Sequence, residues 1–205
     1  MNHSRVQQEY DRLASIYDQR WSFYVQASIQ KTLYYLQIQP EQRVLDIGCG
    51  TGTLLQKLLS FVPETNLVGI DPSQEMLNAA KNKLPNNIEL KQGDAEDLPF
   101  TDECFDWVIT TNSFHYFLDP SQAITEAKRV LKTNGYIVIT DWCHDYLTCR
   151  LLDLILRWFD DAHFRTYRSH QCQAMLEKAG FSNVSIEKYK LNWFWGMMTV
   201  KAVKE

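Results

Sequence analysis

The 205-residue chain has no long hydrophobic run, no basic run, no internal repeat and no low-complexity segment. Its most apolar stretch, Leu151 to Phe159, is short and carries Asp153 and Arg157. A bilayer-spanning helix needs about 20 apolar residues, so no transmembrane segment is expected. Met1 to Arg20 is polar and holds no apolar signal core. Lys and Arg are scattered and the formal net charge is −4, which gives no bulk attraction to a polyanion; duplex nucleic acid is not the expected partner. The five cysteines (Cys49, Cys104, Cys143, Cys149 and Cys172) are odd in number and lack any C-x-x-C spacing, so neither a disulfide framework nor a zinc site is indicated. Small buried thiols in a reducing, cytoplasmic setting are the plain expectation. No Gly/Ser-rich or Pro-rich linker divides the chain, and at about 150 residues per domain it reads as a single domain.

What is present is an alternation of strand-like and helix-like segments. Val6 to Arg20 and Phe23 to Leu36 have helical spacing of apolar residues. Strands are expected at Arg43–Ile47, Asn66–Ile70, Ile88–Gln92, Phe105–Thr110 and Tyr136–Thr140. Between them lie helices at Thr51–Ser60, from Pro72 to about Asn82, and from Asp119-Pro120 to Leu131. Pro72 suits a first helical turn, and Gln122 stands three residues after Asp119 as in a capping box. Asp145–Asp161 and Ser169–Ala179 are helix-like, and Val184–Tyr189 and Met197–Val203 read as an antiparallel pair. Such alternation implies an α/β fold, a doubly wound sheet covered by helices on both faces, with ligands bound beyond the carboxyl ends of the parallel strands.

Each of the first five strand runs is followed by a glycine or a polar residue: Gly48, Asp71, Asp94, Asn112 and Asp141. In a parallel sheet all five share one edge. Turns are polar in any case, so each residue alone carries little. The set acquires meaning from the loop at its centre, Asp46-Ile47-Gly48-Cys49-Gly50-Thr51-Gly52. Alternate glycines let the backbone approach a ligand, and the following helix aims N–H groups at the same place. A dinucleotide loop would read G-x-G-x-x-G; here the third glycine comes one position early and Asp46 precedes the first. A carboxylate there repels pyrophosphate and suits a positively charged ligand, which disfavours a nicotinamide oxidoreductase. Asp71 can accept from two ribose hydroxyls, although it could equally cap the next helix. Asp94 can accept from an exocyclic amine while the Ala95 N–H donates to a ring nitrogen, a pair able to read adenine.

Val44 through Gly52 resembles the first motif of class I S-adenosylmethionine-dependent methyltransferases. Gly69-Ile70-Asp71-Pro72-Ser73, Gly93 through Phe100 and Phe105 through Phe117 resemble the later motifs, in the subgroup related to ubiquinone/menaquinone-biosynthesis enzymes. The likeness is tight from Arg43 to Thr140 and extends in element order from Tyr10 to Val203. It implies a Rossmann-like sheet of seven strands, mostly parallel with the last antiparallel. It implies S-adenosyl-L-methionine as cofactor, with its methionyl part over Gly48, Gly50 and Gly52, its ribose on Asp71, and its adenine on Asp94 and Ala95. Cys49 and Pro72 lie within the same motifs. Met76 would pack on the adenine, unless it belongs only to the core. The Asn112 carbonyl could bind the methionyl amine. Tyr10-Asp11 and Tyr17-Asp18 resemble the N-terminal segment that closes over the cofactor.

The resemblance divides the chain into a helical cap (1–40), a cofactor-binding core (41–140), a helical acceptor-side segment (141–180) and a strand pair (181–205). His115 is the candidate base, because imidazole accepts protons near neutrality; a packing role for it is an equal reading, and His144 is a weaker candidate. Asn112 is followed by Ser113-Phe114, not by the Pro-Pro-aromatic sequence of nucleobase amino-methylating enzymes. With 13% aromatic residues, a small apolar or ring-shaped acceptor is expected. Trp21, Phe23, Tyr24, Phe114, Tyr116, Trp142, Tyr146, Trp158, Trp193 and Trp195 are available to line its pocket, with Arg20, Arg150, Arg165 and Arg168 available to an acidic group. The Asp145–Asp161 helix could cap the pocket or form a homodimer contact. The alternative is a non-catalytic, cofactor-binding relative that serves as a partner subunit.

Overall fold

The computed structural model describes residues 3–14, 16–151, 153 and 166–205. Seven strands form one sheet: β1 Val44–Ile47, β2 Leu67–Asp71, β3 Glu89–Gln92, β4 Phe105–Thr111, β5 Leu131–Trp142, β6 Phe181–Lys190 and β7 Gly196–Lys204. Their order is β3-β2-β1-β4-β5-β7-β6. The first five strands are mutually parallel; β7 runs antiparallel to both β5 and β6. This is the Rossmann-like, mostly parallel sheet that the motifs imply.

The helices are α1 His3–Leu13, α2 Tyr17–Arg20, α3 Ser22–Tyr34, α4 Thr53–Leu58, α5 Gln74–Lys83, α6 Pro120–Val130 and α7 Ser169–Lys178. They cover both faces, which is why β1 and β2 are buried at every position rather than alternately. Successive side chains of β1 point to opposite faces. Leu45 and Ile47 pack with Ile124, Ala127 and Leu176 of α6 and α7. Val44 packs on the other face with Ile29, Leu55 and Leu77 of α3, α4 and α5.

Local chemistry sets the ends of the elements. Gly52 precedes α4 at φ +75°, a left-handed conformation that glycine adopts without strain. Ser73 caps α5 by accepting from the Met76 N–H, so Pro72 lies just before the cap and not in the first turn. Asp119 caps α6 through the Ser121 and Gln122 amides. The reciprocal half of the expected capping box is replaced, since Gln122 Nε2 reaches the Glu96 carbonyl at 3.4 Å. The expected Asn134-Gly135 turn sits inside β5, where Leu131 pairs with Phe105 and Tyr136 with Trp107, leaving the residues between out of register.

The single helix expected over Val6–Arg20 is instead α1 and α2, broken near residue 14. In one straight helix, Tyr10 and Tyr17 would be separated by about 10 Å along the axis. The break brings their ring centroids to 5.9 Å. Of the expected Asp145–Asp161 helix, residues 147–151 and 153 are helical. The rest of it, with Trp158, and also Arg165, lie outside the described residues. Among the described residues, no helix is long and apolar enough to cross a membrane, and no three metal-ligating side chains gather.

Candidate cofactor and acceptor site

Parallel pairing brings the ends of β1 to β5 to one edge, where a cleft opens whose empty space is about 790 Å³. Gly48, Gly50, Asp71, Pro72, Met76, Asp94, Ala95 and Asn112 line it. Gln7, Tyr10 and Tyr17 close it from above, with Ser113, Tyr116, Phe117 and Leu118 opposite.

The Asp71 carboxylate is fixed by backbone. Its Oδ2 accepts the Gly50 N–H at 2.8 Å and its Oδ1 the Ser73 N–H at 2.9 Å. Burial nevertheless raises its pKa to about 6, against the downward pull of these two amides. Gly50 has φ +52°, and a Cβ built on it would meet no protein atom within 4 Å. Neither neighbouring side chains nor the core therefore account for the open space above it. Gly48 is different: its Cβ would lie 2.4 Å from Ser113 Oγ, whose hydroxyl donates to the Gly48 carbonyl.

A smaller recess beside the cleft is lined by Asp46, Cys49, Thr111, Asn112 and Tyr17. Burial, reinforced by Asp71, pushes the Asp46 pKa well above the carboxylate range. Asn112 takes φ +61°, with its Oδ1 accepting from Tyr24 Oη at 2.7 Å and its Nδ2 donating to Ser28 Oγ at 2.7 Å.

Residues 45–139 match the family model of the methyltransferase domain. The 2-methyl-6-phytyl-1,4-hydroquinone methyltransferase 1 of Oryza sativa is 30% identical over 156 residues, 76% of this chain and 46% of that protein. The demethylmenaquinone methyltransferase of Thermotoga maritima is 34% identical over 137 residues, 64% of this chain and 59% of that protein. Through this domain the chain is similar to S-adenosylmethionine-dependent methyltransferases. It spans about half the length of these curated relatives. In fold, the chain is similar to a crystallised SAM-dependent methyltransferase from Thermotoga maritima, with a TM-score of 0.81 at 21% identity, covering 98% of this chain and all of that one.

Of the residues expected in the site, Tyr17, Gly48, Gly50, Asp71, Pro72, Met76, Asp94, Ala95 and Asn112 line the cleft together. Asp46 and Cys49 line the adjoining recess. Gly52 lines neither; it lies against Leu84 and Ala80 and serves the entry to α4. Asp18 stands at this helix start, accepting from the Thr51 and Thr53 hydroxyls and pairing with Lys83.

His115 also stands off the cleft lining. It is buried in a 3-10 turn, Phe114–Tyr116, behind Tyr116, which does face the cleft. Its partner, unforeseen in the sequence, is Asp141. Nδ1 lies 2.7 Å from Asp141 Oδ1, and the His115 backbone N–H donates to Oδ2 at 2.9 Å. A carboxylate only accepts, so the imidazole presents Nδ1–H to it. The ring stacks on Trp142 at 5.1 Å and 14°. Trp142 in turn meets Tyr24 and Trp195, which meet each other at 5.3 Å, forming an aromatic wall beside the cleft. His144 faces elsewhere, toward Thr166 at 2.7 Å and Asp153 at 4.0 Å.

Proposed function

We propose that this chain moves a methyl group from S-adenosylmethionine to an O, C or N atom of a small aromatic acceptor, with hydroquinone-type rings as the substrate class to test first. One observation carries the reading: Gly48 and Gly50, the Asp71 carboxylate, the Asp94–Ala95 pair and the rings of Tyr10, Tyr17 and Tyr116 all line one cleft.

The residues fit the cofactor chemically. The space above Gly50 is open, the Asp71 carboxylate is oriented by two amides, and Asp46 lines the adjoining recess. Gly48 and Gly50 would hold the methionyl part, Asp46 and the Asn112 carbonyl its ammonium, Asp71 the ribose, and Asp94 with Ala95 the adenine, packed by Met76 and Pro72. When bound, the cofactor supplies an electrophilic methyl carbon. The chain then has to orient the acceptor, exclude water and remove a proton where the nucleophile carries one. Tyr10, Tyr17 and Tyr116 close the site, and aromatic faces near a sulfonium contribute about 0.5–2 kcal/mol each. His115, oriented by Asp141, is the proton acceptor of the reading. The named activities of the rice and Thermotoga relatives, on a hydroquinone and a demethylmenaquinone, support a quinol-type ring. Five unbridged thiols suit a cytoplasmic setting.

The test is turnover of methyl-labelled donor against hydroquinones, phenols, carboxylates and amines, with calorimetry for S-adenosylhomocysteine and NAD. Label transfer to a hydroquinone and heat with S-adenosylhomocysteine, but not NAD, are expected. Binding without transfer to any acceptor would favour the partner-subunit alternative.

A further inference from the structure

Tyr24 takes no part in the cofactor motifs, yet its hydroxyl joins the two sides of the site. It donates to Asn112 Oδ1 at 2.7 Å and accepts from Trp142 Nε1. Asn112 lines the cofactor cleft, whereas Trp142 lies flat against His115. Tyr24 and Trp142 are both buried, in a low-dielectric setting where a lost hydrogen-bond partner is costly. Asn112 is held in a left-handed conformation and is anchored on its other side by Ser28. A displacement of Asn112 is therefore passed to Tyr24, because its remaining anchors fix it against α3.

We infer that Tyr24 is a positioning residue that couples occupancy of the cofactor cleft at Asn112 to the placement of Trp142, and through it of the His115 ring. The inference rests on the cofactor reading above. Its consequence is that the acceptor wall takes its working geometry only when the cofactor is seated. Substitution by phenylalanine keeps the ring that meets Trp142 and Trp195 and removes only the hydroxyl.

The experiment uses the full chain labelled with 5-fluorotryptophan, S-adenosylhomocysteine as probe, and fluorine NMR with calorimetry. The Trp142 resonance is assigned by its loss in Trp142→Phe. In the unsubstituted chain it moves on addition of S-adenosylhomocysteine. In Tyr24→Phe the probe still binds, about two- to tenfold more weakly, but the Trp142 resonance no longer responds. Ser28→Ala provides the second variant: it loosens Asn112 without touching Trp142, so affinity falls while the response persists. A resonance that moves equally in Tyr24→Phe, or that stays fixed in the unsubstituted chain while the probe binds, overturns the coupling. If the unsubstituted chain gives no heat with the probe, the cofactor reading itself fails and takes the coupling with it.

Discussion

On the cofactor side of the cleft, Gly48, Asp71, Asp94 and Asn112 each stand within two residues of the end of their own strand. On the proposed acceptor side, Tyr24, His115, Trp142 and Trp195 come from four separate segments. In the proposed reading the first group acts through backbone amides, backbone carbonyls and single carboxylates, whose aim is set by where a strand stops. The second group acts through rings, whose aim is set by what they lean on. A site built in this way can keep its donor seat while its acceptor wall changes, since few side chains belong to both. Tyr24 and Asn112 are where the two sides meet.

Breaking the acceptor side without the donor side should have the largest effect. His115→Ala is expected to lower turnover by about 10², the lower end for loss of a general base, with S-adenosylhomocysteine affinity changed less than turnover. Comparable losses in labelled-donor turnover and calorimetric affinity would show that the imidazole only supports the cleft. The converse break is Asp71→Ala, which should weaken S-adenosylhomocysteine at least tenfold by calorimetry; unchanged affinity removes Asp71 from the ribose.

A pH titration sharpens the same point. The Asp71 pKa is raised to about 6 by burial. Hydroxyl donors prefer the ionised carboxylate, so affinity for S-adenosylhomocysteine should fall as pH drops through about 6, and a flat profile from pH 7 to 5 would count against the assignment. For the free chain the sign is reversed. The folded pKa lies above the ordinary 3.8, so between about pH 4 and 6 the folded state holds a proton that the unfolded state has lost. The contribution of Asp71 to stability is therefore greatest below about pH 4 and declines as pH rises through 6.

Gly50→Ala places a methyl group at positive φ over open cleft space. It should cost about 1 kcal/mol in denaturant unfolding and weaken the probe several-fold. A loss of stability with unchanged affinity would mean that the space above Gly50 is not where the probe lies. The smallest effect is expected at the closing segment. Lys83→Ala removes the partner of a half-exposed Asp18, and should raise the dissociation rate of S-adenosylhomocysteine by no more than about two- to threefold by stopped flow. A larger rise would make the N-terminal helices a principal part of the donor seat.

The residues differ in how far the sequence reveals them. Gly48, Gly50, Asp71, Asp94 and Ala95 were legible because their signal is local: an apolar run, its end, and a residue type suited to a ligand. Gly52 and Asp46 were legible as motif members, but their places, at a helix entry and in a side recess, follow from packing around them. Val6–Arg20 read as one helix because periodicity records which residues are apolar, not whether the helix bends to bring two tyrosines together. His115 was visible as a histidine near the rim. Its burial behind Tyr116 and its bond to Asp141 were not, although His115 follows β4 and Asp141 lies near the end of the neighbouring β5.

The order of apolar and polar runs alone determined that this chain forms a mostly parallel sheet with a glycine loop at one edge. The reason is that backbone hydrogen bonding and burial act on every residue at short range. Only the tertiary structure decided that β4 lies beside β5, that β7 is inserted between β5 and β6, and that Tyr24 reaches Asn112 and Trp142 across 88 and 118 positions of sequence. Contacts at that separation depend on how whole helices pack on the sheet, and no spacing along the chain records it.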